Sequence, residues 1–130
     1  MTDTVPSAPS RTDVEATWES LLAGRITRED AHAWAVPWVD GESDAPLDTM
    51  TFSGLEHLHG FDLRYDPERP GIAQHGRGAP YLHSQQDMAE AFARWRRDSA
   101  RYDADPIGYL RKVRQQALAA LEAEERGHGQ

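Results

Sequence analysis

The chain of 130 residues contains no cysteine. Disulfides and thiolate metal sites are excluded, and the absence fits a reducing compartment, so a cytoplasmic protein is expected. Asparagine is also missing, and a single lysine, Lys112, stands against 13 arginines. That bias reads as the codon usage of a GC-rich genome and says nothing of mechanism. No apolar run approaches the ~20 residues of a membrane span. The stretch Met1–Ser10 has neither a basic start nor an apolar centre, so neither a membrane role nor a secretory signal is expected. Large apolar residues are scarce: the hydrophobic content is 38%, with four Trp, four Tyr and three Phe. Stability must lean on the tryptophans, each of which can bury a large area.

The most telling shortage is local. Residues 29–63 hold no Lys or Arg, and they carry eight acids: Glu29, Asp30, Asp40, Glu42, Asp44, Asp48, Glu56 and Asp62. The formal charge of that span equals the net charge of the whole chain, −8. A one-signed stretch favours basic partners and speeds encounter with them. It argues against nucleic acid, whose phosphates require clustered cations.

Apolar spacing and capping residues predict a mainly α protein, about five helices in a compact bundle with one or two short extended segments. Residues 1–12 read as a disordered lead-in, 13–126 as one helical domain and 127–130 as a frayed tail. The first helix is expected from Asp13 to Ala23, with Val14, Trp18, Leu21 and Leu22 on its apolar face and Gly24 as a left-handed stop. Thr27 and Asp30 form a near capping box for a second helix, which Pro37 should stop or kink. An acidic loop over 40–46 precedes a third helix from Asp48 to His59, with Met50, Phe52, Leu55 and Leu58 as its apolar members and Gly60 ending it. Phe61–Tyr65 alternates like a short strand, and 66–80 reads as a long loop. Ser84 caps a fourth helix striped by Met88, Ala91, Phe92 and Trp95. Asp105-Pro106 opens a fifth, with Ile107, Leu110, Val113 or Arg114, Ala117, Leu118 and Leu121 at helical spacing. The first two helices should form an antiparallel hairpin, as should the last two.

Candidate chemistry is thin. His57 and His59 stand two apart, a spacing that does not share a helix face. With His75 and His83 they define the alternative of a small enzyme or metal-dependent protein, but surface histidines at a helix end explain them as well. Neither a nucleophile in a catalytic context nor a phosphate loop is present, so no catalytic residue, metal or cofactor is assigned. The arginines of the fourth helix, Arg94, Arg96, Arg97 and Arg101, are expected to pair with the acids of 29–63 or to solubilise the helix.

The segments Thr27-Arg-Glu-Asp-Ala-His-Ala-Trp-Ala-Val-Pro-Trp-Val39 and Tyr81-Leu-His-Ser-Gln-Gln-Asp87 resemble small acidic cytoplasmic proteins of actinobacterial genomes. Among these are immunity-type partners of polymorphic toxins. The resemblance spans residues 14–97 and rests on helix caps and Trp anchors. It implies an inhibitor that masks a toxin's active site, and it assigns no individual binding residue. The expected function is therefore an acidic binding module that sequesters a basic protein. Trp38 would be the anchor, with Asp40, Glu42, Asp44 and Asp48 steering and rimming the contact. A structural or regulatory subunit with a merely solubilising acidic face is the remaining reading.

Overall fold

The computed structural model describes residues 8–41, 47–65, 68, 73–75 and 80–128. The elements run α1 (Arg11–Leu22), α2 (Arg28–Val39), α3 (Thr49–Gly60), β1 (Leu63–Tyr65), β2 (Ala73–His75), α4 (Gln85–Ala104) and α5 (Pro106–His128). The fold is mainly α, as the periodicity predicts. The chain divides into two compact units, Met1–Trp95 and Arg96–Gln130, where the sequence reads one domain over 13–126.

In the first unit each helix starts where a side chain can satisfy its free amides. The α1 start lies earlier than expected. Ser10 is the cap, its hydroxyl accepting from Asp13 N–H while the Asp13 carboxylate accepts from Ser10 N–H. Residues 8–12 are thus tied to α1 and are not a lead-in, and Pro9 is buried. Thr27 and Asp30 make the same reciprocal box for α2. Asp48 caps α3 through the amides of Met50 and Thr51. Ser84 and Asp87 repeat the box at α4. Gly24 turns the chain out of α1 with φ +77°, a conformation that side chains with a Cβ rarely adopt.

Val14, Trp18 and Leu21 of α1 pack with Met50, Leu55 and Leu58 of α3, with Phe61, and with Met88, Ala91, Phe92 and Trp95 of α4. The first, third and fourth stripes are therefore the core, except at Phe52, which faces outward, and Leu22, which is half-buried. Phe52 follows Met50 by two residues, a turn of about 200°, so both cannot face inward. Helix α2 contributes only Ala31 and Ala35, small residues that bring its backbone close to its neighbours.

Two further differences concern chain breaks. Gly60 is the last residue of α3 rather than its terminator, and Phe61 forms the cap position. The 66–80 stretch is not all loop, because Ala73–His75 pairs antiparallel with a strand trimmed to Leu63–Tyr65, in the register Leu63↔His75 and Tyr65↔Ala73. Neither Ala nor Gln favours strands, so this pairing comes from the partner edge rather than from propensity. Tyr81 adds a bridge to Arg64, and Leu82 N–H donates to Leu63 O at 2.9 Å.

In the second unit Asp105 opens α5 by accepting from Gly108 N–H at 3.1 Å. Tyr102 and Tyr109 meet edge to face, with ring centres 6.0 Å apart. The helix extends to His128, past the expected tail at 127. Its apolar stripe is exposed: Ile107, Leu110, Val113, Leu118 and Leu121 all face solvent.

Candidate protein-binding site

Pro37 neither stops nor breaks α2, which continues to Val39. Proline costs a helix one amide donor and crowds the carbonyl one turn back. Here that carbonyl belongs to Ala33, and both residues are exposed, so water can take the place of the missing N–H. The ladder resumes with Asp40 N–H donating to Val36 O at 2.9 Å. Because the helix continues, Trp34 and Trp38 stand four apart and share one face.

That face looks onto α1. The two indoles, with Pro9, Ala16, Ala33 and Pro37, line a concavity of about 630 Å³ to which Asp13 and Thr17 also contribute. A second hollow, about 280 Å³, continues it past Trp34 between Ser20 and Ile26, with Asp30 at its wall. The start of α1 meets the end of α2 in the first hollow, and the end of α1 meets the start of α2 in the second. The hairpin is therefore antiparallel, as expected, and the groove runs along its outer side. Both tryptophans are half-buried, so each offers an indole face without being part of the core. Among the described residues no Lys or Arg lines either hollow.

The acids of the 29–63 stretch are mostly engaged. Asp30 serves the α2 cap, and its backbone and hydroxyl bonds to Thr27 hold its carboxyl below the ordinary value. Asp48 serves the α3 cap and sits 3.4 Å from Arg11. Partial burial works to raise its pKa, but the Thr51 hydroxyl and amide bonds and the Arg11 charge prevail and hold it low. Asp40 accepts from His59 Nε2 of α3 at 2.5 Å, and its side chain stays 59% exposed. Asp62 is buried, 3.4 Å from His32 Nδ1. Glu56 is exposed. Glu42 and Asp44 lie outside the described residues. The groups meeting these acids include Arg11, Arg64, His32 and His59, and on α4 Arg101 lies 3.9 Å from its own helix neighbour Asp98.

Glu29 joins the two segments that carried the sequence resemblance. Tyr81 donates to its Oε1 at 2.6 Å, and Arg64 lies 3.3 Å from the same oxygen. The Tyr81 hydroxyl is the main reason the Glu29 carboxyl sits below its ordinary value, and Glu29 in turn pushes the Tyr81 phenol up. The Tyr81 ring is held between two guanidiniums, Arg28 at 4.0 Å and Arg64 at 3.9 Å from its centre, an arrangement that favours the ring face. Arg28 also donates to the carbonyls of His83 and Phe61.

Of the histidines of the alternative reading, His57 and His83 share one hollow while His59 turns away from it. His57 donates from Nδ1 to Ser53 O at 2.8 Å, and its ring lies 5.4 Å from Trp18. His83 lies edge-on to Phe61 and shares a shallow hollow with His57 and Glu56. His59 turns the other way, to Asp40 and to the ring of His32 at 4.5 Å. His75 belongs to β2. Among the described residues no three His, Asp or Glu side chains are grouped to hold a metal ion. His32, whose Nδ1 donates to His59 O at 2.8 Å, was invisible in sequence because its partner lies 27 residues away. Asp13 and Trp34 were missed as groove residues for a local reason: a helix ending at Pro37 would not have set the two indoles on one face.

No protein family matches the chain, and no curated protein or solved structure does. Among the described residues no helix is long and apolar enough to cross a membrane.

Proposed function

We propose that the protein is a binding module that holds a basic, apolar-anchored segment of another protein in the groove between α1 and α2. The observation that carries this reading is the pairing of two half-buried indoles, Trp34 and Trp38, with the carboxylates of Asp13 and Asp30 along a groove that no described base lines. Indoles supply large contact area at small entropic cost, and the surrounding acids select cationic partners and speed their approach. An immunity-type role, sequestering a basic toxin in the cytoplasm, is the specific form that the acidic charge supports. Engagement of Asp40 and Asp48 within the molecule moves the centre of the site away from the 40–48 loop and onto the indole face.

Peptide display on the full chain tests the proposal. Selected sequences are expected to carry Lys or Arg beside an aromatic or branched aliphatic anchor. Their binding should weaken at least about tenfold in Trp38→Ala, and should fall as salt rises from about 50 to 300 mM. Selection of acidic or uncharged sequences, or binding indifferent to both Trp34→Ala and Trp38→Ala, rejects the reading.

A further inference from the structure

The four tryptophans divide by their indole N–H groups. Trp18 and Trp95 bury theirs and direct them to core carbonyls, those of Met88 and Met50. Trp34 and Trp38 donate to no described residue, and both of their N–H groups stay open to solvent. An indole N–H that a partner covers needs an acceptor from that partner. The Ala33 carbonyl is also open to a ligand, because Pro37 has no amide hydrogen to give it. Elsewhere the groove walls are helices, whose backbone amides and carbonyls are taken up by their own ladders. The groove thus offers a bound chain two indole donors, and few acceptors beyond the Ala33 carbonyl and the carboxylates of Asp13 and Asp30.

We infer that this groove takes a proline-rich segment in the polyproline II conformation, flanked by Lys or Arg, an inference that rests on the binding role proposed above. Hydrogen bonding separates three conformations of the ligand. A helix has its carbonyls committed along its sides and leaves both indoles without an acceptor. A strand brings an amide N–H with every residue, and a helical wall has no row of acceptors to return. Polyproline II has no internal hydrogen bonds, so its carbonyls are free to accept, and each proline removes an N–H that would otherwise lack a partner. Proline-rich segments are held in aromatic-lined grooves in this way. From Asp30 to Trp38 the groove follows eight residues of α2, about 12 Å, which about four residues of polyproline II cover. Asp13 lines the hollow that holds Trp38, and Asp30 the one that continues past Trp34, so cations suit both ends of the segment.

Two end-blocked peptides of equal charge test this on the full chain. One is Arg-Pro-Pro-Leu-Pro-Pro-Arg. The other, Arg-Ala-Ala-Leu-Ala-Ala-Arg, keeps the anchor and the charges but not the conformation. Each is titrated to about 2 mM against isotope-labelled protein while the indole N–H signals are followed by NMR. Trp34→Phe and Trp38→Phe assign two of those signals, and each variant keeps a ring while losing a donor. The proline peptide is expected to shift the Trp34 and Trp38 signals downfield and to leave those of Trp18 and Trp95 in place. It should bind at least about fivefold more tightly than the alanine peptide, and at least about threefold more weakly in either Phe variant. Unchanged affinity in both variants overturns the inference, because the two donors would then not be engaged. If the alanine peptide binds as tightly as the proline one and moves the same two signals, the groove reading stands and the polyproline conformation is rejected. If neither peptide moves those signals, the groove is not the site and both readings fail.

Discussion

The indole N–H of Trp95 donates to the carbonyl of Met50 at 2.8 Å, tying α4 to the first turn of α3. Trp18 makes the corresponding link from α1 to α4, donating to Met88 O at 3.1 Å. The two rings lie 5.7 Å apart at the centre of the first unit. Each residue thus supplies apolar area and a buried hydrogen bond. Truncation to Ala at either position is expected to cost about 3–5 kcal/mol. Trp95→Phe retains most of the ring packing against Phe92 and should cost less, about 1–2 kcal/mol, from the lost bond and area. Urea unfolding of the three variants checks this. A loss under about 1 kcal/mol for either Ala variant would contradict the observed core.

Gly54 makes the close packing of α1, α3 and α4 possible. A Cβ there would stand 2.5 Å from Val14 Cγ1 and 3.0 Å from Trp95 Cε2. Gly54→Ala should gain about 1 kcal/mol of helix propensity and lose more to overpacking, for a net loss of about 1–2 kcal/mol. Val14→Ala opens the space that the new methyl needs, so the double variant should be less destabilised than the sum of the singles. Strict additivity in denaturant unfolding would show that the contact does not limit the packing.

Periodicity and caps were legible where the determinant is local. The stripes through Trp18, Leu55 and Trp95, and the caps Thr27, Ser84 and Asp105, each depend on residues within a few positions of one another. What escaped the sequence is long-range or conditional. The pairing of Glu29 with Tyr81 crosses 52 residues. The fate of Pro37 depended on whether the Ala33 carbonyl would face water, which no local pattern states, and with it went the shared face of Trp34 and Trp38. The stripe of α5 was visible as a stripe, but spacing reveals that a helix has an apolar face and not what covers it. The acidic run was read correctly as charge. Its carboxylates could not be sorted in advance into caps, ion pairs and solvent-facing groups.

The hydrogen bond between Tyr81 and Glu29 should leave a signature at both ends of the pH scale. Glu29 is held below its ordinary 4.5, so its contribution is complete above that value and is lost as pH falls through the lower folded pKa. Tyr81 is held above its ordinary 10.0, so its contribution is complete below pH 10 and is lost as pH rises through the raised folded pKa. Tyr81→Phe removes the alkaline loss and reduces the acid one. Glu29 is half exposed, so the cost at neutral pH should stay under about 1 kcal/mol. Thermal unfolding from acid to alkaline pH checks both limbs, and an unchanged profile in Tyr81→Phe would exclude the bond as a contributor.

The groove makes a prediction about charge that needs no partner. Trp18 and Trp95 are buried, with 0% and 4% exposure, so quenchers in solution should reach mainly Trp34 and Trp38. Asp13 and Asp30 at the groove wall should set a negative potential over those two indoles. The cation caesium should therefore quench more efficiently, relative to its effect on free indole, than the anion iodide does. The difference should shrink as salt shortens the Debye length from about 14 Å near 50 mM to about 6 Å near 300 mM. Asp13→Asn with Asp30→Asn keeps carbonyl acceptors for the Ser10 and Thr27 caps, so the helices should persist while the selectivity disappears. Trp34→Phe with Trp38→Phe should leave emission that neither ion quenches strongly. Equal normalised quenching by caesium and iodide at low salt would mean that the indoles do not sit in an acidic field, and the basis for a cationic partner would be gone.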